Sequence, residues 1–117
     1  MRDHTKLRAF ELADQIALET YHATKSFPKE EQFGLVSQMR RAAVSVPSNI
    51  VEGCARESQN EYARFLEIAY ASLRELGYQL SLSTRLEFLD TGNNEQLSKL
   101  CGECEKVLGA LLRSQRK

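Results

Sequence analysis

Tryptophan is absent from the 117 residues, and proline and histidine occur only twice each. Neither sign of charge is in excess, because 16 Lys and Arg balance 16 Asp and Glu. Each scarcity closes a class of function. A neutral chain lacks the basic surplus usual in a nucleic-acid binder. The three cysteines, Cys54, Cys101 and Cys104, are an odd number and make poor material for a secreted disulfide framework. They fit free thiols in a reducing compartment. The two histidines, His4 and His22, both lie near the N-terminus and leave no Ser-His-Asp set. The P-loop, dinucleotide-fingerprint, zincin and nucleophile-elbow patterns do not occur. No run approaches the roughly 18 apolar residues of a membrane helix. The opening MRDHTKLRAFELADQ carries charge throughout and has no signal-peptide core. The expectation is a cytoplasmic protein that is not an enzyme and needs no cofactor or metal.

What is present is helical periodicity almost everywhere, while alternating β-branched patterns are nearly missing. The spacing predicts a first helix over about Thr5–Lys25, with Phe10, Ala13, Ala17, Tyr21 and Thr24 on one face. Ser26, Phe27 and Pro28 end it, since the residue before a proline is pushed out of the α region. A second helix runs from about Phe33 to Ala55 with Leu35, Met39, Ala42, Val46 and Ile50 inward. Pro47 should kink or split it, and Gly53 serves its terminus. A capping box, Ser58 with Glu61, opens a third helix. Its seam of Tyr62, Leu66, Ala69, Leu73, Leu76 and Leu80 continues to about Leu89. Asn93 with Gln96 suggests a cap for the fourth helix, which runs to about Ser114 on Leu97, Leu100, Cys104, Val107 and Leu111. Short connections force antiparallel neighbours, so the fold class is all-α, an up-down-up-down four-helix bundle in one domain over 1–117.

The second helix has more than one apolar side. Besides its inner stripe, Val36, Val44, Pro47, Val51 and Cys54 collect on another arc at 100° per residue. A helix apolar on two sides is buried on two sides, and a neighbouring subunit is the simple partner. Ile68, Leu82, Leu86 and Leu89 also lie off the main seam of the third helix. Gln38, Arg41, Ser45, Asn49, Glu52 and Arg56 form a polar stripe beside the arc. With Val44 and Val51 these are the candidate interface residues. Gln38, Asn49 and Glu52 suit inter-helix or inter-subunit hydrogen bonds, and Glu52 with Arg56 suits an i,i+4 ion pair. The alternative is contact with RNA or DNA phosphate. Its candidates are Arg40, Arg41, Arg56, Arg113, Arg116 and Lys117, the last three in a basic tail.

Two further constellations read as structural. Cys101-Gly-Glu-Cys104 has redox spacing but no strand context, and Cys104 falls on the seam, so core packing is expected. Zinc would need two more matched ligands. Glu19 and His22 make a single Glu-x-x-His element, where a di-iron bundle needs two, and both lie off the apolar face.

The run from Phe33 to Arg64 carries Gly34-Leu35, Gln38-Met39-Arg40-Arg41-Ala42-Ala43, Ser45, Pro47-Ser48-Asn49-Ile50, Glu52-Gly53, Arg56 and Glu61, followed by Phe65 and Leu66. It resembles the bacterial four-helix-bundle proteins first noticed as reading frames within intervening sequences of 23S ribosomal RNA genes. The resemblance extends over nearly the whole chain, although the family would place tryptophan at or near Phe10. It implies an antiparallel four-helix bundle assembling as a barrel-shaped homopentamer. A related branch, the accessory protein of diversity-generating retroelements, is strongly basic and binds nucleic acid. The reading for this chain is a structural or interaction scaffold, with nucleic-acid binding as the alternative.

Overall fold

Short acidic and hydroxyl side chains set where the helices begin. The computed structural model of the chain describes residues 2–116. Asp3 Oδ1 accepts from the Thr5 amide at 3.0 Å and its hydroxyl at 2.6 Å, which holds a 3₁₀ turn over His4–Lys6. Leu7 is extended, so α1 spans Arg8–Thr24 and starts later than the expected Thr5. Backbone at Gly34 departs from the helix, so α2 spans Leu35–Cys54 and does not begin at Phe33. Glu31 Oε1 accepts from the Leu35 amide at 3.2 Å and satisfies one orphan donor there. Pro47 removes one ladder donor, yet α2 continues unbroken through it.

α3 spans Gln59–Arg85, opened as expected by Ser58 Oγ accepting from the Glu61 amide at 3.0 Å. It stops short of Leu89. Glu87 takes a left-handed conformation with φ 65°. The Phe88 amide donates to Ser83 O at 2.9 Å and the Glu87 amide to Thr84 O at 3.0 Å. This pair of bonds is the Schellman motif, built here on a glutamate where glycine is usual. It turns Phe88 against Phe27, ring centroids 5.8 Å apart, and buries Leu89, which therefore leaves the outer surface. α4 spans Thr91–Gln115, and its cap is Asp90, not Asn93. Asp90 Oδ1 accepts from the Asn93 amide at 2.8 Å, and these bonds lower the Asp90 pKa.

Cross-helix contacts run in opposite directions at every junction. Arg40 at the start of α2 reaches Thr24 at the end of α1. Met39 of α2 meets Ser83 late in α3, while Ser45 meets Ser72 earlier in it. Arg116 pairs with Glu67 and Glu105 with Arg74, so α4 runs against α3. Cys104 Sγ donates to Ala9 O and Glu103 pairs with Arg8, while Glu19 and His22 late in α1 share a groove with Asn93 and Gln96 early in α4, closing α4 onto α1 in the opposite direction. Neighbouring helices in the chain pack on one another, α1 and α4 close the ring, and the diagonal pairs bring no Cα atoms within 8 Å of each other. The fold is the up-down-up-down bundle.

The core confirms the α2 stripe and the α3 seam but rotates two helices from the expected phase. In α1 the buried face is Ala9, Leu12, Ala13, Ile16, Thr20 and Thr24, while Phe10 and Ala17 are half-buried and Tyr21 is exposed. The two threonines enter the core because their hydroxyls bond back to Ile16 O and Thr20 O, each at 2.8 Å. In α4 Cys101, Leu108 and Leu112 join Leu97 and Cys104 inside, while Leu100, Val107 and Leu111 are half-buried. Gly53 lies in the last turn of α2, as expected, where its carbonyl accepts from the Arg56 amide at 3.1 Å, and it also allows a close approach to α3. A Cβ there would stand 3.0 Å from Phe65 Cβ and 3.2 Å from Tyr62 Cδ1.

Glycine-to-alanine changes should therefore have opposite signs at two helical sites. Gly53→Ala gains about 1 kcal/mol of helix propensity but overpacks the α2–α3 contact by about 1–3 kcal/mol, so a net loss in urea unfolding is expected. Gly77 has nothing within 4 Å of an added Cβ. Gly77→Ala should stabilise by about 1 kcal/mol. A stabilised Gly53→Ala protein would contradict the close packing described here.

Candidate functional site

Burying one stripe of α2 against α1 and α3 leaves its opposite face outward. Val36 and Cys54, expected on the outer apolar arc, are instead buried, and Pro47 is half-buried. Val44 remains 40% exposed and Val51 37% exposed. Phe33, just before the helix, is 90% exposed. Sequence reasoning placed Phe33 at the helix start and Tyr21 on an inner face, and so missed both as surface residues. Together with Val36 and Val44 they line a groove of about 600 Å³ on the α1 side of α2. The helical periodicity of α2 gives no hint of such a feature, because Phe33 owes its exposure to the turn at Gly34.

Arg40 spans this groove. Its Nε donates to Thr24 Oγ1 at 2.9 Å, its Nη2 to Tyr21 O at 3.4 Å, and its guanidinium lies 4.5 Å from the Tyr21 ring centroid. A cation over the last turn of α1 also suits that helix dipole. Arg40 is thus a strut between two helices.

The polar stripe lies on the other flank, facing α3. Ser45 and Ser72 share a hydrogen bond of 2.8 Å across the two helices. Asn49 Nδ2 donates to Ser45 O at 2.8 Å and Ser45 Oγ at 3.0 Å. Gln38, Arg41, Ser45, Ser72 and Glu75 border a polar groove of about 390 Å³. Gln79 is buried beside it, its Nε2 donating to Glu75 Oε2 at 3.1 Å. A carboxylate accepts only, so Glu75 fixes the Gln79 amide orientation and leaves Oε1 without a donor. Ser72 and Glu75 were not singled out in the sequence, where nothing marks them apart from other polar residues of α3.

Glu52 and Arg56 are both exposed and are not joined by an ion pair among the described residues. Arg56 instead lies 4.8 Å from the Phe65 ring centroid. Its carbonyl accepts from Arg2 Nη1 at 2.8 Å, and the Arg2 amide donates to Cys54 O at 3.1 Å. Arg2 also sits 4.0 Å from the Tyr62 ring centroid. Arg116 pairs with Glu67 at 2.7 Å, and Gln59 Nε2 donates to Gln115 O, which brings the end of α4 to this same end of the bundle. Arg113 is exposed there beside Tyr70. Arg40 and Arg41 stand at the opposite end, about 20 Å away along α2. The fold does not gather the six basic candidates in one protomer, and Lys117 lies outside the described residues.

The thiols belong to the interior. Cys101 and Cys104 are buried, and burial, reinforced by Glu105, pushes both up to about 12. Burial also raises Cys54 and takes Tyr62 to about 12. Protonated buried thiols are poor nucleophiles. Glu19 is half-buried and His22 exposed, and no group of three or more metal-ligating side chains occurs among the described residues.

The family described as 23S rRNA-intervening sequence protein matches residues 5–110. Among solved structures, the chain is similar to a crystal structure from Bacteroides thetaiotaomicron VPI-5482, described as a protein with unknown function from the S23 ribosomal protein family. The two share 23% identity with a TM-score of 0.83, over 90% of this chain and 95% of that one. That likeness concerns the fold. The comparison with curated proteins finds no match.

Alkaline pH should loosen this core. Unfolded thiols lose protons near 9.0, whereas Cys101 and Cys104 hold theirs to about 12 in the folded state. Between those values the folded state binds more protons, so stability falls as pH rises. Tyr62, moved from 10.0 to about 12, adds the same sign. The urea midpoint should drop across this window, and drop less steeply in a Cys101→Ala, Cys104→Ala variant. An equal slope in both proteins would remove the thiols as its source.

Proposed function

The chain belongs to the 23S rRNA-intervening sequence protein family, and on that premise we propose that it works without catalysis, as a cytoplasmic homo-oligomeric scaffold assembled through the outer face of α2. The observation that carries this reading is the exposure of Val44 and Val51 on the outer face of α2, with Phe33 exposed in the turn just before it. Phe33, almost fully exposed, would gain about 1.5–3 kcal/mol on full burial, and Val44 and Val51 a fraction of that because each is already more than half buried. Exposed apolar side chains on one outer face suit an association site. The polar stripe beside it, with Ser45, Asn49 and Ser72 already bonded to one another, supplies a preorganised rim. A count of five subunits is carried over from the resemblance of the Phe33–Arg64 run.

The chemistry-bearing side chains support the non-catalytic part. The buried thiols serve packing, and Arg40 serves the α1–α2 junction. No described helix is long and apolar enough to cross a membrane.

A second reading, contact with RNA or DNA, draws on the arginines stacked on rings at the Arg56 end, where Arg2 covers Tyr62 and Arg56 covers Phe65. It ranks below the first because Arg40 and Arg41 lie at the other end of the protomer. Only assembly would bring the two groups together as a charged ring.

Native mass spectrometry under reducing conditions tests both. A multi-subunit mass free of adduct is expected, and Val44→Asp or Val51→Asp should shift it to smaller species. Wild-type assembly in both variants would show that the α2 face is not the contact. Co-purified nucleic acid whose retention falls steeply with salt would put the second reading first.

A further inference from the structure

The polar groove between α2 and α3 holds two opposite charges that do not meet. Cross-helix hydrogen bonds fix the helix spacing on either side of it, Ser45 with Ser72 at 2.8 Å and Ser83 Oγ with Met39 Sδ at 3.2 Å. From the serine pair, the antiparallel helices step by about one turn to Arg41 and Glu75, and by another to Gln38 and Gln79. Arg41 and Glu75 border the same groove of about 390 Å³. Their charged atoms nevertheless lie more than 4.0 Å apart, and among the described residues neither has another oppositely charged group within that distance. Neighbouring charges are engaged elsewhere, Arg40 with Thr24 and Arg74 with Glu105. Apart from Ala42, the rest of the lining is polar.

Gln79 accounts for the separation. It is only 4% exposed, and its Nε2 donates to Glu75 Oε2 at 3.1 Å. That bond ties the carboxylate back to its own helix. Gln79 Oε1 receives no hydrogen bond, and a buried acceptor without a donor costs stability. Packing alone favours an apolar side chain at this position, so what Gln79 contributes is the placement of Glu75. Its orphaned oxygen belongs to the same amide and adds partial negative charge beside that carboxylate.

A held carboxylate facing an unpaired guanidinium suits a molecule that carries both charges. We infer that this groove binds a small zwitterion, a free α-amino acid, with its carboxylate on Arg41 and its ammonium on Glu75. Arginine presents paired N–H donors that match a carboxylate. Glu75 offers acceptors alone, and an ammonium offers donors alone. A ligand with one charge is attracted by one wall of the groove and repelled by the other. The groove lies on the α3 flank of α2, apart from Val44 and Val51, so binding there does not depend on assembly through those residues.

Glycine is the minimal probe. Titrated into isotope-labelled protein and followed by heteronuclear NMR, it should shift the amide signals of Gln38, Arg41, Ser72 and Glu75 saturably. Acetate and methylammonium should each bind at least tenfold more weakly, because each gives up one charge-assisted contact. Arg41→Gln and Glu75→Gln should each lose tenfold or more in glycine affinity. Both side chains are exposed, so circular dichroism should stay native. Gln79→Met separates positioning from structure. It should raise the urea midpoint by removing the orphaned acceptor, and lower glycine affinity by releasing Glu75. No saturable shift with glycine, or acetate bound as tightly as glycine, overturns the zwitterion site. Undiminished glycine affinity in Arg41→Gln or Glu75→Gln overturns it as well. A Gln79→Met protein that loses stability, or that keeps full affinity, overturns the placement of Glu75 by Gln79.

Discussion

The close approach of α2 to α3 is the contact from which the other features follow. At Gly53 a single added carbon would meet the Phe65 and Tyr62 side chains. Ala42, Ser45 and Asn49 extend that flank with small or short side chains. Two helices held this near leave no room for a large residue between them, so the interdigitated Ser45–Ser72 pair can form at 2.8 Å. The rotation of α2 about its axis is then fixed. Its leucine and methionine stripe must point into the ring, and Val44 and Val51 must point out. The exposed valines are thus a consequence of core packing that uses up only part of an apolar helix.

The surrounding network sharpens this orientation from both sides. Arg40 ties the start of α2 to the last turn of α1, and the Arg2 contacts tie its end to the N-terminal segment. A helix clamped at both ends and along one flank presents its outer face as a rigid surface. Rigid surfaces lose little freedom on association. The fold therefore holds the outer face of α2 in one orientation.

Much of this was legible in the sequence. Four helices, their antiparallel order, the α2 stripe, the α3 seam and the Ser58 cap all follow from spacing and capping chemistry, and the family follows from the Phe33–Arg64 run. The phase of α1 was not legible, because Thr20 and Thr24 count as polar until their hydroxyls are seen bonded back to the helix. The end of α3 was hidden because a glutamate fills a turn position where glycine would have been the signal. Of the candidate surface, Val44 and Val51 were visible as a second apolar arc. Val36 and Cys54 belonged to the core instead, Val36 beside Thr24 and Phe27 at the end of α1 and Cys54 beside Tyr62 with Arg2 on its carbonyl. Phe33 could not be placed without the bend at Gly34, nor could Ser72 and Glu75, whose role depends on which α2 residues stand opposite.

The Arg2 latch bears on the order in which the chain can take shape as it is made. Contacts among residues 2–56 alone join the N-terminal segment and α1 to both ends of α2. A ribosome that has released this much has already exposed both helices of the α1–α2 hairpin and the residues that join them. α3 can then dock on its finished flank, and α4 last, each helix meeting a neighbour already in place. Only the α1–α4 seam joins early chain to late, so local contacts dominate, the pattern associated with rapid folding. The buried cysteines of α4 sit on that final seam, sealed by the last helix to arrive.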